Sequence, residues 1–218
     1  MKRTLRGDRL IRELLNDPTH FNGNELLKEY FDGFPLGTLR PLLSSSDRMV
    51  RRVAVWVASE LGKDGKQLIS DAVSLLHDGD PYIRFYALDT IAVCSLAEEA
   101  DKYMHVVRAL EDSDEGVRSE AMFLMSNANL PELKAALGAF GAEGEPNELH
   151  MRGVSQLLTE HVDAAEISGM IDSPEPLLRK YGAIAAWRCR DRFPDLISNL
   201  APSTDPDIRK FWRQRAGP

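Results

Sequence analysis

Two cysteines are all that 218 residues contain. Cys94 and Cys189 lie far apart in sequence with no partner at metal-ligand spacing, which argues against a disulfide framework and predicts buried free thiols. Histidine is sparse as well. None of His20, His77, His105, His150 and His161 stands four residues from another, the spacing a helical zinc site uses. Glycine-rich phosphate loops are missing, as is a Gly-x-Ser-x-Gly nucleophile elbow. These absences predict a non-catalytic chain with no cofactor and no metal. The basic start, Met1 to Arg6, is not followed by an uninterrupted apolar stretch of signal-peptide or membrane-span length. The expectation is a cytoplasmic chain with no membrane partner.

What is present is acid. The formal net charge is −7, which disfavours nucleic acid or an anionic membrane and favours a basic partner. The charge is uneven. Residues 179–218 hold nine Lys/Arg against four Asp/Glu, or +5, which leaves −12 for the rest.

The chain is organised by a repeat: an acid, and three residues later an apolar-Arg pair. The pairs are Val50-Arg51, Ile83-Arg84, Val117-Arg118, Met151-Arg152, Leu178-Arg179 and Ile208-Arg209, preceded by Asp47, Asp80, Asp114, Glu148, Glu175 and Asp205. Successive arginines stand 33, 34, 34, 27 and 30 residues apart, a period that marks stacked supersecondary units. The acid suits a helix start, where it accepts from orphan backbone N–H groups and complements the positive end of the helix dipole. Pro81, Pro176 and Pro206 follow it directly, at the position where a missing N–H costs nothing. Behind each start, apolar residues recur at helical spacing, as in Val50, Val53, Ala54, Val57, Ala58 and Leu61. Small residues three positions after the arginine (Ala54, Ala87, Ala121, Ser155, Gly182) allow a neighbouring helix to approach. Each unit therefore reads as helix, tight turn, helix.

Leu75-Leu76-His77-Asp78-Gly79-Asp80-Pro81-Tyr82-Ile83-Arg84-Phe85-Tyr86-Ala87 resembles the HEAT-repeat family, in particular its short phycobilin-lyase-like units. Leu110 to Arg118 followed by Ala121 does so as well. The resemblance spans roughly residues 37–215 and is looser in the last three units. It implies an all-α, right-handed solenoid of about six helix pairs over residues 37–218, with residues 1–36 forming an N-terminal helical cap. The di-iron deoxyhypusine hydroxylases of this family carry His-Glu pairs. No His-Glu dipeptide occurs here, and Glu160-His161 is the reverse order. Within the resemblance three functions stand open. One is a protein-binding scaffold such as a bacterial immunity protein that inhibits a basic toxin domain. The others are a bilin lyase or chaperone-like factor of pigment-protein maturation and an alkylpurine DNA glycosylase.

The arginine series admits two readings, a phosphate-binding rail or an internal acid–arginine ladder. Strict register with an acid and the excess of acids favour the ladder. The second helices have another face, expected to be concave. Its candidate protein-binding residues are Arg52, Val55, Trp56, Glu60, Phe85, Leu88, Asp89, Met122, Phe123 and Asn127, with aromatic and Met anchors inside a polar rim. The acidic segment Gly141 to Asn147 reads as a loop inserted at the fourth turn, and Phe211 with Trp212 as the seal of the last unit.

Overall fold

The computed structural model describes residues 2–94, 101–142, 148–159 and 163–216. Among them every regular element is helical, and contacts group the chain into two compact units, Met1–Leu96 and Ala97–Pro218. The expected insertion lies largely outside the described residues, as do Glu160 and His161.

The first unit runs α1 (Lys2–Asn16), α2 (Gly23–Phe31), α3 (Arg40–Leu43), α4 (Arg48–Glu60), α5 (Ile69–Leu75) and α6 (Pro81–Cys94). Its core draws on Leu10 and Leu14 of α1, Leu26 and Tyr30 of α2, and Val50, Ala54, Val57 and Ala58 of α4. Ile83 and Ala87 of α6 complete it. The helices expected as a cap thus share a core with the first repeat, α2 lying against α4.

The second unit runs α7 (Met104–Arg108), α8 (Glu115–Asn127), α9 (Leu130–Ala142), α10 (Glu148–Leu158), α11 (Ala164–Ile171), α12 (Pro176–Arg188), α13 (Pro194–Ser198) and α14 (Pro206–Ala216). The first helices α11 and α13 are short, as the reduced repeat spacing implied. Phe211 is fully buried with its ring edge-on to Trp187, whereas Trp212 stays half-buried.

The repeat acids cap as their position predicted. Asp47 accepts from the N–H groups of Met49 and Val50, Asp114 from Gly116 and Val117, Asp80 from Tyr82, and Asp205 from Asp207. Glu175 sits at the same place without a side-chain cap bond, and Glu148 is the first residue of its helix. The register arginine has a local task that the sequence did not disclose. Its Nη1 donates to the carbonyl six residues back: Ser45 for Arg51, Asp78 for Arg84, Asp112 for Arg118, Ser173 for Arg179 and Ser203 for Arg209. The side chain at that sixth position accepts in turn from the N–H of the capping acid. One guanidinium and one short polar side chain thereby satisfy the backbone groups of the turn.

The same arginines tie one helix pair to another. Arg51 Nε donates to Asp78 at 2.7 Å, and Arg52 grips Asp80 through Nε and Nη2 at 2.6 and 3.0 Å. In the second unit Arg179 binds Asp205, while Arg118 binds Asp207 through two bonds of 2.7 and 3.0 Å. That last pair corrects strict next-neighbour stacking. Arg118 meets α14, 89 residues on, and both α12 and α14 pack against α8. The fourth repeat, whose Arg152 and Glu148 are exposed and whose Met151 is only half-buried, has none of this weight to carry.

Ala54, Ala87 and Ala121 are fully buried, and Gly182 lies against the Ile171 main chain, as close helix approach requires. Ser155 is exposed instead. Gly153, which the repeat did not single out, has the tighter constraint: a Cβ there would fall 2.2 Å from the Tyr181 ring. Tyr181 is fully buried and cannot yield easily. Gly153→Ala is therefore expected to cost about 1–3 kcal/mol through overpacking. Urea unfolding measures it, and an unchanged midpoint would contradict the packing described.

Cys94 is buried as expected, and its thiol donates to the Gly62 carbonyl at 2.9 Å. Burial pushes it up to about 11, so it is an inert thiol. Cys189, expected to be buried, is partly exposed because it follows the last turn of α12.

Candidate functional site

Helices α4 and α6 of the first unit lie side by side and share one partly exposed face. Arg52, Trp56 and Glu60 recur every four residues on α4, and Phe85 and Asp89 do so on α6, so each set forms a column. Arg52, Trp56, Phe85 and Asp89 are half-buried and Glu60 is exposed. Contacts between the helices join the columns. The Arg52 guanidinium lies 4.9 Å from the centre of the Tyr82 ring, and Asp89 at the other end is hydrogen-bonded with Ser59 and feels the charge of Glu60.

Val55 and Leu88, expected on this face, are fully buried and belong to the core. Position i+4 from a register arginine precedes Trp56 or Asp89 by one residue, about 100° around the helix, on the side that turns toward the core with Ala54 and Ala87. Met122, at the same position on α8, is fully buried for the same reason. Phe123 and Asn127 are exposed, on α8 in the second unit. Arg215 covers one side of Phe123, its guanidinium 4.0 Å from the ring centre.

Two aromatic residues were missed in the sequence. Tyr82 is exposed, and Tyr86 is half-buried with its ring centre 4.7 Å from that of Tyr82 and 5.1 Å from that of Phe85. Both lie at i, i+4 on α6, a signal that was available. Alongside, Phe21, Asn22, Asn24, Met49, Arg52, Trp56 and Tyr82 line a cleft of about 390 Å³. A Cβ on Gly23 would stand 2.8 Å from the Trp56 ring, so glycine lets the indole lie against the start of α2.

The electrostatics of the face are asymmetric. At the Arg52 end the charge is matched: Arg52 holds the Asp80 carboxyl below the ordinary carboxylate range, chiefly through its hydrogen bond. At the other end Glu60 and Asp89 have no cation within ion-pair distance among the described residues. Burial, and then the neighbouring Glu60 charge, raise the Asp89 carboxyl above its ordinary value. Its ionised form therefore costs stability above that raised value, and the cost fades as falling pH protonates the folded state. Asp89→Asn is expected to raise Tm at pH 7 by about 2–4 °C, a modest figure because the group is partly solvated. The gain should vanish near pH 4. Calorimetry across this range checks it; a pH-independent effect would contradict the origin given.

The second unit carries its own polar cluster. His150 is almost fully buried, its ring stacked on Phe140 with centres 5.5 Å apart. Its Nδ1 meets the Tyr181 hydroxyl at 2.8 Å and its Nε2 meets Glu111 at 3.0 Å. Burial lowers the imidazole, with Glu111 opposing. Tyr181 is also buried and both ring nitrogens are occupied, whereas the Glu111 carboxylate reaches the surface. Among the described residues no group of three His, Cys, Asp or Glu side chains could hold a metal ion.

No family model matches the chain, and no curated protein does. Among solved structures it is similar to an engineered protein at 16% identity and a TM-score of 0.51, over 96% of this chain and 67% of that one. A second engineered protein matches at 16% identity and a TM-score of 0.47, over 96% and 94% of the two chains. A designed armadillo repeat protein does so at 17% and 0.40, over 82% and 97%. Likeness at this level concerns fold alone. No helix among the described residues is long and apolar enough to cross a membrane.

Proposed function

We propose that this chain is a non-catalytic, HEAT-like repeat scaffold that grips a basic segment of another protein on the α4–α6 face of its first unit. One observation carries the reading: half-exposed aromatic side chains stand beside a carboxylate pair that lacks a cation. Trp56, Phe85, Tyr82 and Tyr86 supply amphipathic anchors with little side-chain entropy to lose. A lysine or arginine placed by the partner over Glu60 and Asp89 relieves their repulsion, which makes the match attractive and selective. The helices beneath are held by the Arg51, Arg52, Asp78 and Asp80 pairs, so the surface is preorganised.

In its most concrete form the scaffold is a bacterial immunity protein, and the basic partner a toxin domain that it inhibits in the cytoplasm. The nucleic-acid alternative needs register arginines free for phosphates, and three of them, Arg51, Arg118 and Arg179, already donate to carboxylates. A fourth, Arg84, has its Nη1 on the Asp78 carbonyl. The bilin alternative rests on the repeat resemblance alone.

The test is quantitative capture from the native host with the wild-type chain, Trp56→Ala and Asp89→Lys as baits. The expected result is a basic protein retained by the wild type, lost from both variants and released by salt. Equal retention by all three baits would overturn the reading.

A further inference from the structure

The C-terminal ends of α8, α12 and α14 meet in the second unit, and arginines gather there around one indole. The Arg190 and Arg215 guanidiniums lie 4.9 and 5.3 Å from the centre of the Trp187 ring. Arg190 donates to the Trp187 carbonyl, and Arg215 to the Phe123 carbonyl and the Ser126 hydroxyl. These bonds use a minority of the donors on each guanidinium. The Nε of Arg215 is buried and finds no acceptor. Neither arginine has a carboxylate within ion-pair distance among the described residues, in contrast to Arg51, Arg52, Arg118 and Arg179. The two cations also repel each other, for the charge of Arg190 adds to burial in lowering the Arg215 guanidinium, against the opposing pull of Glu120.

A buried guanidinium N–H without an acceptor is costly unless something supplies the missing oxygen, and the exposed Arg190 stands beside it with donors to spare. We propose that the Trp187, Arg190 and Arg215 cluster is a binding site for a single compact oxyanion, a carboxylate or phosphate group. Charge-assisted bonds from two guanidiniums suit either group. A polyanion is disfavoured, because residues 97–218 as a whole carry a formal charge of −7, which repels at long range what the pair attracts at short range. The site is separate from the α4–α6 face and does not depend on the function proposed for it.

The test follows the indole N–H signals of Trp56, Trp187 and Trp212 by NMR, assigned with Trp187→Phe. The full chain is titrated at constant ionic strength with inorganic phosphate and, separately, with N-acetylglutamate amide. A saturable shift confined to Trp187 is expected with at least one probe, and the tighter probe identifies the source of the oxyanion. Arg190→Gln should weaken binding about tenfold, the loss of a charge-assisted hydrogen bond. Arg192→Gln should leave it unchanged, since Arg192 rests on Phe193 instead. The proposal is overturned by a linear, unsaturating shift, by equal losses in the two variants, or by no response to either probe. A duplex DNA that moves the Trp187 signal at lower concentration than both probes would likewise replace it with a nucleic-acid surface.

Discussion

Asp207→Ala is expected to destabilise the second unit by about 3–5 kcal/mol, the cost of leaving buried cations without their counter-ion. Asp207 takes both Nε and Nη2 of Arg118, and the buried Lys180 ammonium stands 3.3 Å away. Burial alone would raise its carboxyl, but Arg118 and Lys180 together hold it below the ordinary value. The folded state thus binds this proton more weakly than the unfolded state. The contribution is complete above the unfolded value of 3.8 and is lost as pH falls through the depressed folded value. Wild type and variant should differ most at neutral pH and converge in strong acid, as denaturant titrations at several pH values will show. Asp47→Ala, which removes only a cap, should cost about 1 kcal/mol in the same assay. Similar costs for the two would mean that Asp207 bridges nothing.

Trp56→Ala is expected to weaken partner binding about 30-fold or more, the magnitude of an aromatic hot spot at the centre of an interface. The indole spans the cleft and the α4–α6 face, and its removal would also expose Gly23 and Val53 beneath. Asp89→Lys should act by a different route, slowing association and removing the salt dependence, because a cation then faces the partner's cation. Asn127→Ala, in the second unit, should leave affinity unchanged. Calorimetric titration against the captured partner separates these outcomes. A variant at Asn127 that weakens binding as much as Trp56→Ala would move the interface to the second unit.

The helix pairs were legible because their signals are local. A carboxylate at the helix start, a proline behind it and an apolar residue three positions on all act within one turn, and the described helices begin where these residues place them. The ladder was legible in kind but not in partners. Nothing within one repeat shows that Arg118 reaches Asp207 rather than Glu148, since that choice depends on α14 folding back against α8. The binding face was legible in part. Counting from the arginine located Trp56, Glu60, Phe85 and Asp89, yet it also admitted Val55, Leu88 and Met122, which stand one residue short of that face, about 100° around the helix, and turn into the core. Tyr82 was overlooked because its place in the repeat suggested only a helix start. The contacts of the buried His150 with Glu111 and Tyr181 join residues 39 and 31 positions apart, and no spacing rule reaches that far.

Protein binding, as opposed to phosphate binding, requires the repeat arginines to be committed inside the fold. Nε–H exchange measured by NMR on arginine-labelled protein addresses each one, since Arg51, Arg52, Arg118 and Arg179 all bond a carboxylate through Nε. Their signals should be protected at neutral pH and indifferent to duplex DNA, while the exposed Arg192 exchanges at the rate of a free side chain. If the four exchange as fast as Arg192 and shift when DNA is added, they form a phosphate rail, and the protein-binding account fails.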